Sequence, residues 1–208
     1  MIKSQKNNNS EKAGAVVVVG GGIAGIQASL DLANSGFKVY LVERSPAIGG
    51  VMAQLDKTFP TNDCSMCILS PKMVECGRHL NITVLTNAEV VGVSGEEGNF
   101  KVDILQRTRY IDPSKCTGCA ECVTVCPVER PDEFNAYLGK RKAIYRPFPQ
   151  AYPNVFTIEK AKRAQCTMTC PGGINVQGYV ALIANRKFKE ALELIAESIP
   201  FPSVCGRV

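Results

Sequence analysis

Apolar residues in the first quarter of the chain fall into two short runs, separated by a glycine-rich turn and a helix-like segment. Ala15–Val19 are small or β-branched, which is the pattern of a strand buried on both faces. Residues 26–35 favour a helix that ends at Gly36, and a second apolar strand is predicted over residues 38–42. This order predicts a Rossmann-like βαβ unit and hence an α/β fold.

The turn after the first strand carries the glycine spacing of a dinucleotide-binding site. Gly20 permits a tight turn, Gly22 lets the backbone approach a pyrophosphate, and Gly25 lets the helix pack closely on the strand. Glu43 ends the second strand, where an acidic side chain accepts hydrogen bonds from ribose hydroxyls. The alternative is a chance glycine turn in an ordinary α/β protein.

A second glycine pair decides between flavin and nicotinamide. Gly49 and Gly50 follow Glu43 and Arg44 closely, an arrangement that resembles the two-dinucleotide-binding flavoproteins. The resemblance favours FAD over NAD. We therefore expect Arg44, Gly49 and Gly50 to lie near the cofactor together with the first three glycines and Glu43.

The remaining pattern predicts smaller elements. Residues 81–111 alternate strand-like runs with turns and predict an antiparallel meander. The proline-rich residues 146–153 predict an extended connector at a module boundary. Near the end of the chain, two apolar stripes predict a helical hairpin with core packing: Tyr179, Val180 and Ile183, then Phe188, Leu192 and Ile195.

Composition and charge narrow the class of protein. The net charge of +5 is mild and its basic residues are scattered, so nucleic acid is not the expected partner. The densest basic cluster, residues 140–142, is interpreted as a solvated surface, with docking of an acidic redox partner as the alternative. Residues 1–12 are polar and predict a disordered leader rather than a signal peptide, and no run is long enough to cross a bilayer. We expect a cytoplasmic protein.

In a reducing compartment, the ten cysteines are candidates for metal or redox chemistry rather than for structural disulfides. The strongest motif is C-x2-C-x2-C-x3-C-P, the bacterial ferredoxin spacing for a [4Fe–4S] cluster, formed by Cys116, Cys119, Cys122 and Cys126. Gly118 allows the backbone turn that this spacing needs. In two-cluster ferredoxins the fourth cysteine serves the other cluster, so the partner of Cys126 stays open.

Two further cysteine groups are less specific. Cys64, Cys67 and Cys76 predict an iron–sulfur site, with His79 as a weaker candidate for the fourth ligand. A redox dithiol at Cys64 and Cys67, or buried structural thiols, are the alternatives. Cys166 and Cys170 copy only the C-x3-C-P tail of a ferredoxin motif, and they either complete the Cys116 cluster or belong to a separate one.

Two family resemblances cover nearly the whole chain. Residues 15–160 resemble the A-type subunit of heterodisulfide reductase through the segments Gly20-Gly-Gly-Ile-Ala-Gly25, Glu43-Arg44, Gly49-Gly50, Asp63-Cys-Ser-Met-Cys-Ile-Leu-Ser-Pro71, Tyr110-Ile-Asp-Pro-Ser-Lys-Cys116 and Arg141-Lys-Ala-Ile-Tyr-Arg-Pro-Phe-Pro149. Residues 166–208 resemble the N-terminal iron–sulfur helical domain of dihydropyrimidine dehydrogenase and of the glutamate synthase small subunit. The segments that carry this second resemblance are Cys170-Pro-Gly-Gly173, Phe188-Lys-Glu-Ala-Leu-Glu-Leu194 and Pro200-Phe-Pro-Ser-Val-Cys-Gly-Arg-Val208.

The resemblances imply an oxidoreductase subunit of anaerobes that relays electrons between FAD and [4Fe–4S] clusters. Its implied partners are other redox subunits of a heterodisulfide reductase-like or hydrogenase-linked complex. Both families continue beyond the end of this sequence, so a truncated chain is expected. A ferredoxin-like carrier or assembly fragment without flavin is the main alternative, and a zinc-stabilised interaction domain is a third.

The expected organisation follows from these motifs. An FAD-binding domain spans residues 13–111 and contains a cysteine-bearing insert at residues 60–80. A ferredoxin-like [4Fe–4S] module spans residues 112–160, and an incomplete helical iron–sulfur domain spans residues 161–208.

Overall fold

The computed structural model describes residues 14–160 and 164–207. The predicted leader, residues 1–12, lies outside the described residues. The chain divides into two compact units, with the division between Glu159 and Lys160.

A three-stranded parallel sheet forms the centre of the first unit, with the strand order β1-β2-β3. The strands are β1 (Ala15–Val19), β2 (Lys38–Glu43) and β3 (Ile82–Thr86), and the register pairs Val17 with Tyr40 and Leu41 with Val84. Helix α1 (Ile23–Asn34) connects β1 to β2, and helix α2 (Ser65–Arg78) connects β2 to β3. The prediction of a Rossmann-like βαβ unit is confirmed.

Two predictions are corrected by α2. The residues 60–80, which were expected to form an insert, contain the second crossover helix of the sheet. This helix brings the chain back to the end of the sheet at which the strands begin. Strand β3 therefore pairs parallel with β2 and is not part of an antiparallel meander. A short 3₁₀ turn (Gly50–Gln54) precedes α2.

The hydrophobic core lies between the sheet and the two helices, which contact each other. Fully buried side chains from every one of these elements meet there: Ile26 of α1, Val39 and Leu41 of β2, and Leu69, Met73 and Cys76 of α2. Ile48, from the loop after β2, is also fully buried. The core thereby fixes the loop that follows Glu43 against the sheet.

An antiparallel hairpin follows the sheet. Strands β4 (Ala88–Glu96) and β5 (Asn99–Gln106) pair along their length, with an irregularity between Val90 and Gly92. Gly95 and Gly98, at the turn, have φ of +106° and +79°, which an L side chain adopts only with strain. The antiparallel pairing predicted for this part of residues 81–111 is confirmed.

The cysteine-bearing segment contains one short helix and two small sheets. Its elements are α3 (Glu121–Val125), β6 (Glu129–Pro131), β7 (Lys140–Lys142), β8 (Ile144–Tyr145) and β9 (Thr157–Ile158). Strand β6 pairs antiparallel with β7, and β8 pairs antiparallel with β9.

Residues 146–153 are packed, although the sequence predicted an extended connector. The ring of Phe148 is buried and stacks on Phe134, with 5.1 Å between the ring centroids. The Ile48 N–H donates to the carbonyl of Tyr152 at 2.9 Å, and the Tyr152 hydroxyl donates to the carbonyl of Gly77 at 2.7 Å. Proline content signalled an absence of regular structure here, but not an absence of tertiary contacts.

The second unit is helical. It contains α4 (Gln165–Thr169), α5 (Val176–Ala184), α6 (Phe188–Ala196) and α7 (Pro202–Cys205). The Asn175 side chain caps α5 by accepting from the Gly178 N–H at 2.9 Å, and α5 contacts α6 as the predicted helical hairpin. Within the described part of the chain, no helix has the length and apolar character needed to cross a membrane.

The apolar stripes of this hairpin are more exposed than the sequence predicted. Val180 and Ile183 of α5 and Phe188 and Leu192 of α6 are all exposed, whereas Ala191 is buried. The physical reason is size, because a single pair of nine-residue helices has only one contact face.

Candidate functional site

The glycine-rich turn between β1 and α1 forms a cradle that is open on one side. Gly20 has φ of +103°, and its N–H donates to the Val42 carbonyl at 2.8 Å, which fixes the turn to β2. A Cβ atom at Gly25 would lie 1.9 Å from the Gly20 carbonyl oxygen, so only glycine permits this approach of helix to turn. A Cβ atom at Gly22 would meet nothing within 4 Å. The cradle is therefore closed behind Gly25 and open beside Gly22.

The start of α1 suits an anion. Gly22 is the N-cap residue, no side chain caps the helix, and the first turn has no acidic residue. The first N–H groups of a helix have no partner within it, and the helix dipole adds a partial positive charge there. These features, together with the space beside Gly22, fit the pyrophosphate of a dinucleotide.

The second glycine pair lies directly against the first. The Gly49 N–H donates to the Gly21 carbonyl at 2.7 Å, and a Cβ atom at Gly50 would lie 2.9 Å from the Gly22 Cα. Both Gly49 and Gly50 have positive φ, at +131° and +59°. The structure therefore brings Gly49 and Gly50 to the cradle, as the flavoprotein resemblance implied.

Glu43 holds the cradle from the end of β2. Its Oε2 atom accepts from the Gly21 N–H at 2.6 Å, and its Oε1 atom accepts from the Ser45 N–H and hydroxyl at 2.7 and 2.6 Å. A carboxylate has about four lone-pair sites, and three are used here, so the Oε2 atom keeps capacity for a ribose hydroxyl. The sequence predicted the ribose contact but did not predict that this carboxylate also fixes the glycine turn. Arg44 is exposed at the same strand end.

Cys64 and Cys67 lie at the start of α2 and are joined by a disulfide bond. Cys64 is the N-cap residue, and its Sγ accepts from the Cys67 N–H at 3.2 Å. Both cysteines are exposed. This pairing is the one that the dithiol alternative predicts.

Cys76 lies elsewhere, which corrects the prediction of one three-thiolate site. It is nine residues beyond Cys67 on the same helix, a separation of about 13 Å along the axis. Its side chain is fully buried in the core, and burial, with Glu75 adding to it, raises the pKa of its thiol to about 11. His79, just beyond the helix, forms a hydrogen bond between its Nε2 atom and Asn34 Oδ1 at 3.2 Å.

The ferredoxin-type cysteines surround α3. Gly118 and Ala120 have left-handed φ of +75° and +67°, which turns the chain twice within the motif. Burial is the main cause that raises the pKa of Cys122, and the nearby thiols of Cys119 and Cys116 raise it further. Backbone N–H groups, that of Ile144 first, lower the pKa of Cys126.

This donor set fits an iron–sulfur cluster by its chemistry. Thiolates are the usual ligands of such clusters, and N–H groups directed at sulfur tune their potentials. Within residues 14–160 and 164–207, however, no group of three or more Cys, His, Asp or Glu side chains is already assembled around a single metal position. We therefore assign no ligand geometry to Cys116, Cys119, Cys122 and Cys126.

The third group lies in the second unit, around α4. Cys166 is exposed and Cys170 is half-buried. The backbone N–H of Ile174, followed by that of Gly172, lowers the pKa of Cys170. Cys170 thus has the same kind of N–H surroundings as Cys126 in the first unit.

Arg109 connects the cradle loop to the cysteine-bearing segment, and sequence reasoning missed it. Its guanidinium donates to the Pro46 carbonyl and the Thr86 hydroxyl, and to the Val155 carbonyl at 3.3 Å. Burial lowers the pKa of Arg109, while nearby groups, Cys116 among them, oppose that shift. An isolated arginine before a cysteine motif has no spacing signature, so only the fold reveals this contact.

The basic cluster at residues 140–142 is engaged in ion pairs. Arg141 pairs with Glu133 at 2.6 Å and with Glu159 at 2.7 Å. The two lysines of the cluster pair with Glu129 at 3.4 and 3.5 Å. These pairs neutralise much of the local charge and weaken the alternative of an acidic docking partner.

Three protein families match separate parts of the chain. Residues 15–64 match the FAD dependent oxidoreductase family, residues 109–129 match the 4Fe-4S binding domain, and residues 157–208 match dihydropyrimidine dehydrogenase domain II, which is described as a 4Fe-4S cluster domain. The predicted cofactors, FAD and [4Fe–4S] clusters, are confirmed at the level of these families. So is the resemblance of the C-terminal residues to dihydropyrimidine dehydrogenase.

Curated relatives agree on one protein. The A-type iron-sulfur subunit of a Methanopyrus kandleri CoB–CoM heterodisulfide reductase is 64% identical over 140 residues, which is 67% of this chain and 21% of that protein. The A-type subunit of a Methanothermobacter marburgensis H2:CoB-CoM heterodisulfide, ferredoxin reductase is 58% identical over 150 residues, which is 72% of this chain and 23% of that protein. This chain is a relative of the A-type subunit of heterodisulfide reductase. It spans about a fifth of the length of those subunits.

Solved structures are only distantly similar. L-proline dehydrogenase from P. horikoshii is 26% identical, with a TM-score of 0.38, over 48% of this chain and 21% of that one. Thioredoxin reductase from T. acidophilum is 20% identical, with a TM-score of 0.38, over 44% of this chain and 30% of that one. The relationship to heterodisulfide reductase therefore rests on sequence.

Proposed function

We propose that this chain is an electron-transfer portion of an oxidoreductase like the A-type subunit of heterodisulfide reductase, in which FAD and a [4Fe–4S] cluster are bound by the same unit. The observation that carries the proposal is that one compact unit holds both the glycine cradle and the ferredoxin-type cysteine motif. Arg109 supports it, because its guanidinium contacts the loop after Glu43 and also the segment that contains Val155.

The residues of the cradle would hold the nucleotide half of FAD. Gly22 leaves room for the pyrophosphate at the start of α1, and Gly25 keeps the helix close enough to present its N–H groups. Glu43 orients the turn through Gly21 and accepts from the ribose. Arg44, Gly49 and Gly50 form the second side of the site.

Cys116, Cys119, Cys122 and Cys126 would hold the cluster. When bound, the flavin exchanges electron pairs and the cluster exchanges single electrons, so their pairing divides two-electron steps into one-electron steps. This chain's own part is to bind and position both groups and to tune the cluster through the N–H groups beside Cys126.

The partners and location belong to the same proposal. The relatives are named as subunits, which supports assembly with other redox subunits of a heterodisulfide reductase-like or hydrogenase-linked complex. A cytoplasmic location suits a chain whose cysteines are mostly free thiols, since such thiols persist in reducing compartments.

The test is the cofactor content of the full chain, purified and reconstituted without oxygen. We expect flavin, iron and acid-labile sulfide, with flavin bands near ~450 nm and the broad absorption of a thiolate-ligated cluster. Cys119→Ser should lower the iron and sulfide content while it keeps flavin. Gly139→Ala, at a surface glycine with an ordinary φ and open surroundings, is the matched control and should keep both.

Each of the other possible cofactor contents would indicate a different kind of protein. Iron and sulfide without flavin, even after incubation with FAD, would leave a ferredoxin-like carrier. Zinc in a colourless protein would indicate an interaction domain. Material with neither iron nor flavin would exclude the proposal.

A further inference from the structure

The disulfide at the start of α2 is not used by the proposed function. Cys64 and Cys67 are both exposed, and they occupy the N-cap and the first turn of a helix of 14 residues. A C-x2-C pair in this position occurs in disulfide oxidoreductases, where the helix start stabilises a thiolate.

Metal binding is the competing explanation for this pair, and the structure argues against it. Two thiolates alone do not satisfy an iron–sulfur cluster, which needs four protein ligands in its usual form. The third predicted ligand, Cys76, lies in the core about 13 Å further along the same helix.

The surroundings of Cys64 suit a nucleophilic sulfur. The Cys67 N–H donates to the Cys64 Sγ at 3.2 Å, and the first turn of α2 has no acidic residue that would repel a thiolate.

The position of the pair in the fold also favours redox chemistry. A crossover helix between parallel strands runs opposite to them, so α2 begins at the carboxyl edge of the sheet. The Ser65 N–H donates to the Asp56 carbonyl at 3.1 Å, which anchors the start of the helix to the loop that follows Gly50. The pair therefore lies at the edge where α/β sheets bind their ligands.

We propose that Cys64 and Cys67 are a redox-active pair that undergoes thiol–disulfide exchange with small dithiols and disulfides. In the reductive direction, one thiolate of the dithiol attacks the Cys64 Sγ, the Cys64–Cys67 bond breaks, and Cys67 leaves as a thiolate. The second thiolate of the dithiol then attacks the dithiol sulfur that is bonded to Cys64. The bond between the two dithiol sulfurs forms, and Cys64 is released as a thiolate. The dithiol is oxidised to a disulfide, the pair gains two electrons, and the two thiol protons pass to Cys64 and Cys67.

The experiment is a redox titration of the full, cluster-loaded chain in buffers of reduced and oxidised dithiothreitol, under nitrogen. Differential alkylation followed by peptide mass spectrometry reads the oxidation state of Cys64 and Cys67 directly. We expect both to change together and reversibly, with one midpoint. After reduction, Cys64 should react with iodoacetamide at pH 7 about tenfold faster than N-acetylcysteine, because a stabilised thiolate is more populated.

Variants separate a redox pair from metal ligands. Cys64→Ser keeps a good N-cap residue and should fold, and Cys67→Ser removes the other sulfur. Each should abolish the two-electron transition and leave iron and sulfide per chain unchanged, whereas Cys119→Ser lowers both. Gly139→Ala should leave the transition and the iron content unchanged.

Three results would overturn the proposal. Loss of iron in Cys64→Ser or Cys67→Ser would make the pair metal ligands. Thiols that stay reduced in oxidised dithiothreitol, or a disulfide that stays closed in the reduced form, would make the pair inert. None of these readouts depends on flavin, so a chain that binds no FAD could still pass the test.

Discussion

Glycine-to-alanine substitutions at Gly22 and Gly25 meet opposite surroundings, although the two positions are only three residues apart. Gly22 has an ordinary φ of −74°, and a Cβ atom there meets no protein atom within 4 Å. Gly25 faces the backbone of Gly20, which cannot move without opening the turn. The two positions therefore separate the binding role of the cradle from its structural role.

For Gly22→Ala we expect a free energy of unfolding within about 0.5 kcal/mol of that of the parent chain. Its methyl group projects into the open side of the cradle, so FAD affinity should fall about tenfold or more, which is ~1.4 kcal/mol. Gly25→Ala should instead lower the free energy of unfolding by about 1–3 kcal/mol. Urea unfolding and FAD titration measure the two effects, and wild-type FAD affinity in Gly22→Ala would place the pyrophosphate elsewhere.

Cys76 predicts a dependence of stability on pH. Its pKa is raised from 9.0 to about 11 in the folded protein, so the folded state holds the thiol proton more tightly than the unfolded state does. Its contribution to stability is therefore fully present below pH 9 and is lost as the pH rises towards 11. The parent chain should lose more stability than Cys76→Ala between pH 8 and pH 10.5, as measured by urea unfolding. A difference that stays constant with pH would contradict the burial of this thiol.

Among the elements, α2 is the one that the sequence predicts least well. Its apolar positions are interrupted by Pro71, Gly77 and three cysteines near or within it, so the cysteine spacing dominated the interpretation. The β1–α1–β2 unit was predictable because each of its signals is local: an apolar run, a glycine turn and a terminal acid. The parallel pairing of β3 depends on α2, a contact between distant residues, and could not be read from the strand pattern alone.

The same limit applies to the site. Gly20, Gly22, Gly25 and Glu43 could be predicted because their roles follow from spacing along the chain. Two other contacts depend on the path that the loop after β2 takes in the folded chain. They are the hydrogen bond from the Gly21 N–H to the Glu43 carboxylate and the one from the Arg109 guanidinium to the Pro46 carbonyl. Cys76 was grouped with Cys64 and Cys67 because sequence distance does not show which side of a helix is buried.

Gly77 of α2 packs closely against Tyr152, so an alanine in place of this glycine should destabilise the folded protein. A Cβ atom at Gly77 would lie 2.0 Å from an atom of the Tyr152 ring. Gly77→Ala should therefore lower the free energy of unfolding by about 1–3 kcal/mol, although alanine gains up to about 1 kcal/mol of helix propensity.

A double-mutant cycle tests the cause. Tyr152→Ala removes the ring, so the double variant should be more stable than the sum of the two single effects by about 1 kcal/mol or more. Gly139→Ala, which has room for a methyl group, is the control and should change stability little. Additive effects would mean that the ring of Tyr152 does not lie over Gly77.

On the scale of the whole molecule, the question is whether the two units hold separate clusters. The [4Fe-4S] family matches at residues 109–129 and 157–208 fall on different units. We therefore expect Cys122→Ser and Cys170→Ser each to lower the iron content per chain, and the double variant to lower it further than either single variant. Iron analysis and EPR of the reduced chain measure this. If Cys170 instead completed the Cys116 cluster, the double variant would lose no more iron than either single variant.

The small sheet at β8 and β9 has a consequence for engineering the chain. The Ile158 N–H donates to the Arg109 carbonyl at 3.0 Å, and the Glu159 N–H donates to the Ala143 carbonyl at 2.8 Å, so β9 lies between these two points. The two ends of the excursion, residues 110–143, thus lie within about 10 Å of each other, which is two strand spacings. A linker of a few residues could close that gap, which would make the excursion a removable cassette, open to exchange for a different metal-binding loop while the parallel sheet stays intact.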